Sequence, residues 1–281
     1  MNQNIFFMCG FPRAGSTLLM NILAQNPKFH GSPTSGLVTS VEHVRNNWRS
    51  VENYMSMDEK YVYPRIKTML KNMIYGFYED EIKNEIIPID KNRSWINRMD
   101  LLDELFETKV KFIYPIRHIV DCLISLEKIR RKSSINIDPH KNKIKAATTI
   151  GRAENYLADE DVMGMPILAL REIFNRKDYD RLLLVPFDDL LKYPEYTIKR
   201  LYGQMGVEYY PHDYNNVKQT IFENDVFHFS APDGLHKIKE GKISPPKERD
   251  MTIFPQHIID EIENKKYADI TNFIKTNTGV L

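Results

Sequence analysis

The sequence predicts a three-layer α/β fold, a central parallel sheet flanked by helices with helical insertions, and three observations predict it. Short apolar runs rich in β-branched and aromatic residues alternate with longer segments of helical period. Those runs are apolar nearly throughout, as strands covered on both faces are. Hydrophobic residues make up 42% of the 281 positions and charged residues 27%, which supplies a real core and excludes wholesale disorder.

In chain order, strands are expected at residues 4–9, 85–90, 110–115 and 181–187. Crossover helices are expected at 17–25, 94–107, 119–131 and 194–205, with extra helical material at 58–80 and 142–176. No internal repeat, low-complexity tract or Gly/Ser/Pro linker divides the chain, so residues 1–281 are expected to form one domain. Between 209 and 250 the pattern weakens at Pro211, Pro232, Gly234, Gly241, Pro245 and Pro246. A long ordered loop or lid is expected there.

Lys and Arg total 39 against 38 Asp and Glu, a formal net charge of +1, so no global basic field points to a nucleic-acid partner. Charge is concentrated locally: residues 111–145 hold nine Lys or Arg and three Asp or Glu, a net of +6. The two cysteines, Cys9 and Cys122, each lie in an apolar stretch and assemble neither a disulfide framework nor a thiolate zinc site, which favours a reducing compartment. The apolar run at 5–11 is short, lacks a basic leader and ends at Pro12, unlike a signal peptide, and no other run is long enough to span a bilayer. A cytoplasmic, metal-independent protein without a transmembrane anchor is the expectation.

The strongest chemical signal is Gly10-Phe11-Pro12-Arg13-Ala14-Gly15-Ser16-Thr17, between the first strand and the first helix. Two glycines five residues apart let the backbone curl so that successive N–H groups point inward, and the helix N-terminus adds partial positive charge for an anion. The spacing is nearly that of a P-loop, but the Lys that precedes Ser or Thr in the nucleoside-triphosphate version is Ser16 here. The cationic role falls to Arg13, and the loop suits a smaller anion than a β,γ-phosphate pair with magnesium. The plainer alternative is a strand-to-helix turn with Ser16 as N-cap.

Phe11 to Leu19 resembles the 5′-phosphosulfate loop of the sulfotransferase superfamily, whose donor is 3′-phosphoadenosine 5′-phosphosulfate (PAPS). Further segments come in the family's order, most similar to the branch holding protein-tyrosine and glycan sulfotransferases. The resemblance implies that Arg13, Ala14, Gly15, Ser16 and Thr17 bind the 5′-phosphosulfate, with Arg13 also in the chemistry. Lys111 to Ser125, a strand running into a helix, resembles the 3′-phosphate motif, which implies that Arg117 and Ser125 hold that phosphate. A guanidinium fork and a hydroxyl suit phosphate oxygens without a metal. Ile86 to Asn92 implies Lys91 as catalytic lysine, beyond a strand's C-terminal end where open α/β sheets present ligands. Its alternative reading is a solvated Lys paired with Asp90 or Asp100. The segment Gly234 to Lys242 resembles a loop that closes over the nucleotide, with Lys237 the best match.

The function that the resemblance implies is sulfuryl transfer from PAPS to a hydroxyl on a glycan, a peptide tyrosine or a small molecule. On the acceptor side the sequence departs from the protein-tyrosine branch: Gly31-Ser32-Pro33-Thr34-Ser35-Gly36-Leu37 has no carboxylate where that branch has a Glu. Glu42, His43 and His30 are the candidates for the group that accepts the acceptor's proton, and sequence does not choose among them. Aromatics of the helical insertion, such as Trp48, Tyr54, Tyr61 and Tyr75, are candidates for an acceptor pocket. Two competing readings remain: a P-loop kinase or NTPase, with Leu182 to Val185 leading to Asp188 and Asp189 as a magnesium-binding strand, and a nucleotide-binding module without transfer activity.

Overall fold

A computed structural model describes residues 5–132, 144–225 and 235–279. Five strands form one parallel sheet: β1 (Phe6–Met8), β2 (Phe29–Thr34), β3 (Ile87–Lys91), β4 (Phe112–Ile116) and β5 (Leu182–Pro186), in the order β2-β3-β1-β4-β5. Side chains alternate between two cores. Ile5, Phe7 and Cys9 with Phe112, Tyr114 and Ile116 face one, while Phe6 and Met8 with Ile113, Leu183 and Val185 face the other. Burial on both faces is why these strands read as continuous apolar runs.

Four of the five strands fall where sequence places them. β2 does not appear in the sequence reading, because Phe-His-Gly-Ser-Pro-Thr offers one large apolar residue and a Pro. It is an edge strand, where the missing proline N–H costs no ladder bond, and its register with β3 is irregular between Gly31 and Thr34.

The crossovers Ser16–Leu23, Ile119–Arg131 and Pro194–Met205 match expectation closely, and the expected 94–107 helix is a 3-10 turn over Arg93–Arg98 continued by Met99–Phe106. The 58–80 insertion is Glu59–Phe77, capped by Asp58 accepting from the Lys60 N–H at 2.7 Å, followed by Glu79–Lys83. The extra helical material expected over 142–176 is two helices, Thr149–Tyr156 and Gly164–Arg176. The chain folds back between them so tightly that a Cβ on Gly164 would stand 1.9 Å from the Ala158 carbonyl oxygen. Residues 142 and 143 lie outside the described residues. Helices at Leu37–Asn47, Phe187–Lys192, Gln256–Asp260 and Ala268–Asn277 are additional to the sequence reading.

Of the expected 209–250 loop, the described parts carry no helix or strand beyond short turns, and an antiparallel bridge between Val217 and Gly241 ties its two limbs. Gly234 and Pro232 lie outside the described residues. Among the described residues no helix is long and apolar enough to cross a membrane.

Candidate active site

The C-terminal ends of β1, β3 and β4 lie side by side at the centre of the sheet, where crossovers leave in both directions and a crevice opens. The turn after β1 is shaped by three residues of positive φ, Gly10 (97°), Arg13 (62°) and Gly15 (81°). Gly10 is required sterically: its Cβ would lie 2.3 Å from the Pro115 carbonyl oxygen, because the turn is laced to β4 by Phe11 N–H donating to that oxygen at 3.0 Å. Gly15 precedes the helix, with no side chain capping it. The helix's first amides have no intrahelical acceptor, so the plain N-cap role for Ser16 is not the one adopted.

Gly15, Ser16, Thr17 and Arg13 line a cavity of about 610 Å³ together with Lys91, Arg93, Arg117, Ser125, Phe187, His236 and Lys237. Ala14 is fully buried behind the turn. Arg13 Nε donates to Ser125 Oγ at 3.1 Å, its Nη1 donates to the Leu235 carbonyl, and Arg117 Nη1 donates to the Arg13 carbonyl at 3.3 Å. The Arg117 guanidinium lies 4.5 Å over the Phe187 ring, and its buried Nε has no hydrogen-bond partner among the described residues. Burial pulls the Arg13 guanidinium below its ordinary pKa, with Arg117 nearby adding to this, so both cations gain from an anion between them.

Lys91 ends β3 with 6% of its surface exposed. Its N–H donates to Ser32 Oγ at 2.9 Å and its ammonium pairs with Glu223. Burial lowers the Lys91 pKa, and the Glu223 charge opposes that shift. Neither alternative partner applies. Asp90 points to the other face of β3, accepting from Tyr78 Oη and Trp95 Nε1 at 2.6 Å each, and Asp100 pairs with Arg176 at 2.5 Å.

The structure places the three base candidates away from the cavity. Glu42 is held by Arg98, His43 is exposed, and His30 sits 3.4 Å from Glu81, and none of them lines the cavity. The helix Leu37–Asn47 buries Leu37, Val38 and Val41, turns Glu42 to Arg98 on its flank and leaves His43 exposed. Nor do the insertion's aromatics line it; its rings are Phe11, Phe187 and His236. The groups that sequence reasoning missed come from the late loop. His236 Nδ1 lies 2.6 Å from Asp225 Oδ1 and 3.2 Å from Glu223 Oε2, and Glu223 reaches Lys91. The loop is marked by its prolines and lysines, but no motif or period singles out Glu223. From the basic run, Arg117 and Lys128 line the cavity; residues 133–143 lie outside the described residues. Asp188 and Asp189 do not line it, and Asp189 Oδ1 accepts from the Gly279 N–H at 2.8 Å.

A sequence model described as the sulfotransferase family matches residues 6–211. The sulfotransferase domain of the curacin biosynthetic pathway shares 16% identity, with 99% of this chain and 97% of that chain covered and a TM-score of 0.51, which supports a common fold. The sulfotransferase domain of the Synechococcus PCC 7002 olefin synthase aligns at 18% identity over 85% of this chain and 89% of that one, with a TM-score of 0.45. A sulfotransferase from Alicyclobacillus acidocaldarius aligns at 12% identity over 76% and 85%, also at 0.45. No curated protein matches the chain. The family match runs from β1 past β5 and takes in the glycine turn, Lys91, Arg117 and Ser125, so the chain belongs to the sulfotransferase family and is a sulfotransferase.

Proposed function

We propose that the protein transfers a sulfuryl group from PAPS to a hydroxyl of an acceptor that is a glycan, a peptide tyrosine or a small molecule. The observation that carries this reading is the convergence of Arg13, Lys91, Arg117 and Ser125, from three separate segments, on one cavity beside the Gly15–Thr17 amides. The stacked Arg117, with its unpartnered Nε, and the Ser125 hydroxyl suit the 3′-phosphate, a dianion away from the reacting end. The helix N-terminus and Arg13 suit the 5′-phosphosulfate. Lys237 and its neighbours from 235–250 line the same cavity and would cover the nucleotide, excluding water from it.

The acceptor oxygen attacks sulfur in line. As the new O–S bond forms, the S–O bond to the 5′-phosphate breaks and its electron pair stays on the phosphate oxygen, giving 3′-phosphoadenosine 5′-phosphate. Arg13 and Lys91 stabilise the charge growing on that oxygen, and the scheme uses no metal. Radiolabelled PAPS incubated with glycans, tyrosine peptides and phenols tests the reading. Label should pass to a member of one class with wild type and fall by on the order of a hundredfold or more with Lys91→Met. No transfer to any class, together with no binding of 3′-phosphoadenosine 5′-phosphate, would overturn it.

A further inference from the structure

The edge strand β2 beside Lys91 carries no carboxylate, yet Glu223 brings one to the Lys91 ammonium. Glu223 arrives from the late loop, with 4% of its side chain exposed, while Phe222 before it is 72% exposed and Asp225, two residues on, turns in toward His236. The segment is built to place it. The Asn21 side chain, on the helix after the glycine turn, accepts from the Thr220 and Ile221 N–H groups at 2.6 and 3.0 Å. Gln219 is pinned to the His236 limb, donating to the His236 carbonyl at 3.0 Å and accepting from the Ile238 N–H at 3.1 Å. Glu223 thereby meets Lys91 and Thr34, which are Cα partners across β2 and β3.

A buried ion pair adds little net stability, because desolvation of both charges offsets their attraction. This one sits on the cavity that holds the proposed donor site. We propose that Glu223 is the group that accepts the acceptor's proton, and that its ion pair with Lys91 holds it in reserve until the donor binds. The proposal rests on the PAPS reading above. In the donor-free protein, Lys91 and Glu223 neutralise each other. A bound phosphosulfate draws the Lys91 ammonium toward its bridging oxygen, and the carboxylate loses its cation. Burial alone raises the Glu223 carboxyl; Lys91, with Thr34 and His236, outweighs that and holds it below its ordinary value, so release from Lys91 makes it a stronger base. The acceptor O–H proton then passes to a Glu223 oxygen as the acceptor oxygen bonds to sulfur and the phosphate oxygen departs. Binding is consequently ordered, donor before acceptor.

The test compares wild type with Glu223→Gln, which keeps the size and hydrogen bonding of the side chain and removes its charge. Asp225→Asn removes a negative charge two residues along the chain that pairs with His236. Two quantities are read: calorimetric affinity for 3′-phosphoadenosine 5′-phosphate, and release of labelled sulfate from PAPS to water, the acceptor present in every assay. Glu223→Gln should bind the nucleotide about tenfold tighter, and clearly tighter than Asp225→Asn, since Lys91 no longer has to leave a partner. Its sulfate release should fall on the order of a hundredfold. Nucleotide binding by the variant also reports that it is folded. Equal gains in the two variants would overturn the reserve ion pair. Sulfate release equal to wild type, or none above the uncatalysed background in wild type, would overturn the proton-accepting role. If no variant and not the wild type binds the nucleotide, the donor reading itself falls, an outcome distinct from the other two.

Discussion

At the scale of single residues, the glycine turn and one histidine carry the clearest consequences. Gly10→Ala drives a Cβ into the Pro115 backbone, which cannot swing aside as a side chain would, at a φ of 97°. Chemical denaturation should show a loss of about 3 kcal/mol. Gly36→Ala, where a Cβ meets nothing within 4 Å and φ is −86°, should change stability by less than about 0.5 kcal/mol. His212 lies 3.0 Å from the Tyr202 hydroxyl, and burial pulls its pKa down from 6.5 to about 4. The unfolded chain therefore takes up a proton at this residue more readily between pH 6.5 and 4. The stability it contributes is full above pH 6.5 and is lost as pH falls toward 4. Allowing for its partial contact with water, that is about 2 kcal/mol, and His212→Gln should flatten the acid limb of a stability-against-pH curve by this amount.

At the scale of elements, the late strap is fastened through Arg249, which donates to Asp121 Oδ1 at 2.9 Å on the helix Ile119–Arg131 and to Glu263 Oε1 at 2.8 Å near the C-terminus. Arg249→Ala leaves two carboxylates facing each other without their shared cation. Thermal unfolding should show a loss of roughly 2 to 4 kcal/mol, part of it recovered by adding Asp121→Asn. Elements with both faces buried or a strong helical period are legible in the sequence: β1, β3, β4, β5 and the helix Ile119–Arg131 lie within a residue or two of where periodicity puts them. β2 is not, because an edge strand with a Pro needs only Phe29 to anchor it. On the proposed donor side, Arg13 is legible from the glycine turn between strand and helix and Lys91 from its place beyond a strand's C-terminal end, whereas Arg117 and Ser125 are singled out by the family resemblance. The acceptor side is not legible. Glu223 reaches Lys91 across 132 residues of chain through an irregular segment held by side-chain bonds from Asn21 and Gln219, and periodicity carries no trace of such placement.

At the scale of the whole molecule, the order β2-β3-β1-β4-β5 sets the turn after β1 between Lys91 on one neighbour and Arg117 beyond the other, so Arg13, Lys91 and Arg117 join Arg93, Lys128 and Lys237 around one cavity in a chain of net charge +1. That arrangement focuses a polyanion without a global basic field. A ligand bound there touches segments on both sides of β1 and the strap besides, so it stabilises the fold as a unit. At a hundredfold excess over its Kd, 3′-phosphoadenosine 5′-phosphate should add about 2.7 kcal/mol and raise Tm by roughly 5 °C. The measurement that bears most directly on the account is a calorimetric titration of this nucleotide into wild type and Arg117→Ala, with adenosine 5′-phosphate and magnesium-ATP alongside. Wild type should bind tightly, adenosine 5′-phosphate should bind about a hundredfold more weakly, and Arg117→Ala should lose that preference. A preference for magnesium-ATP, or an Arg117→Ala variant that binds as wild type does, would contradict it.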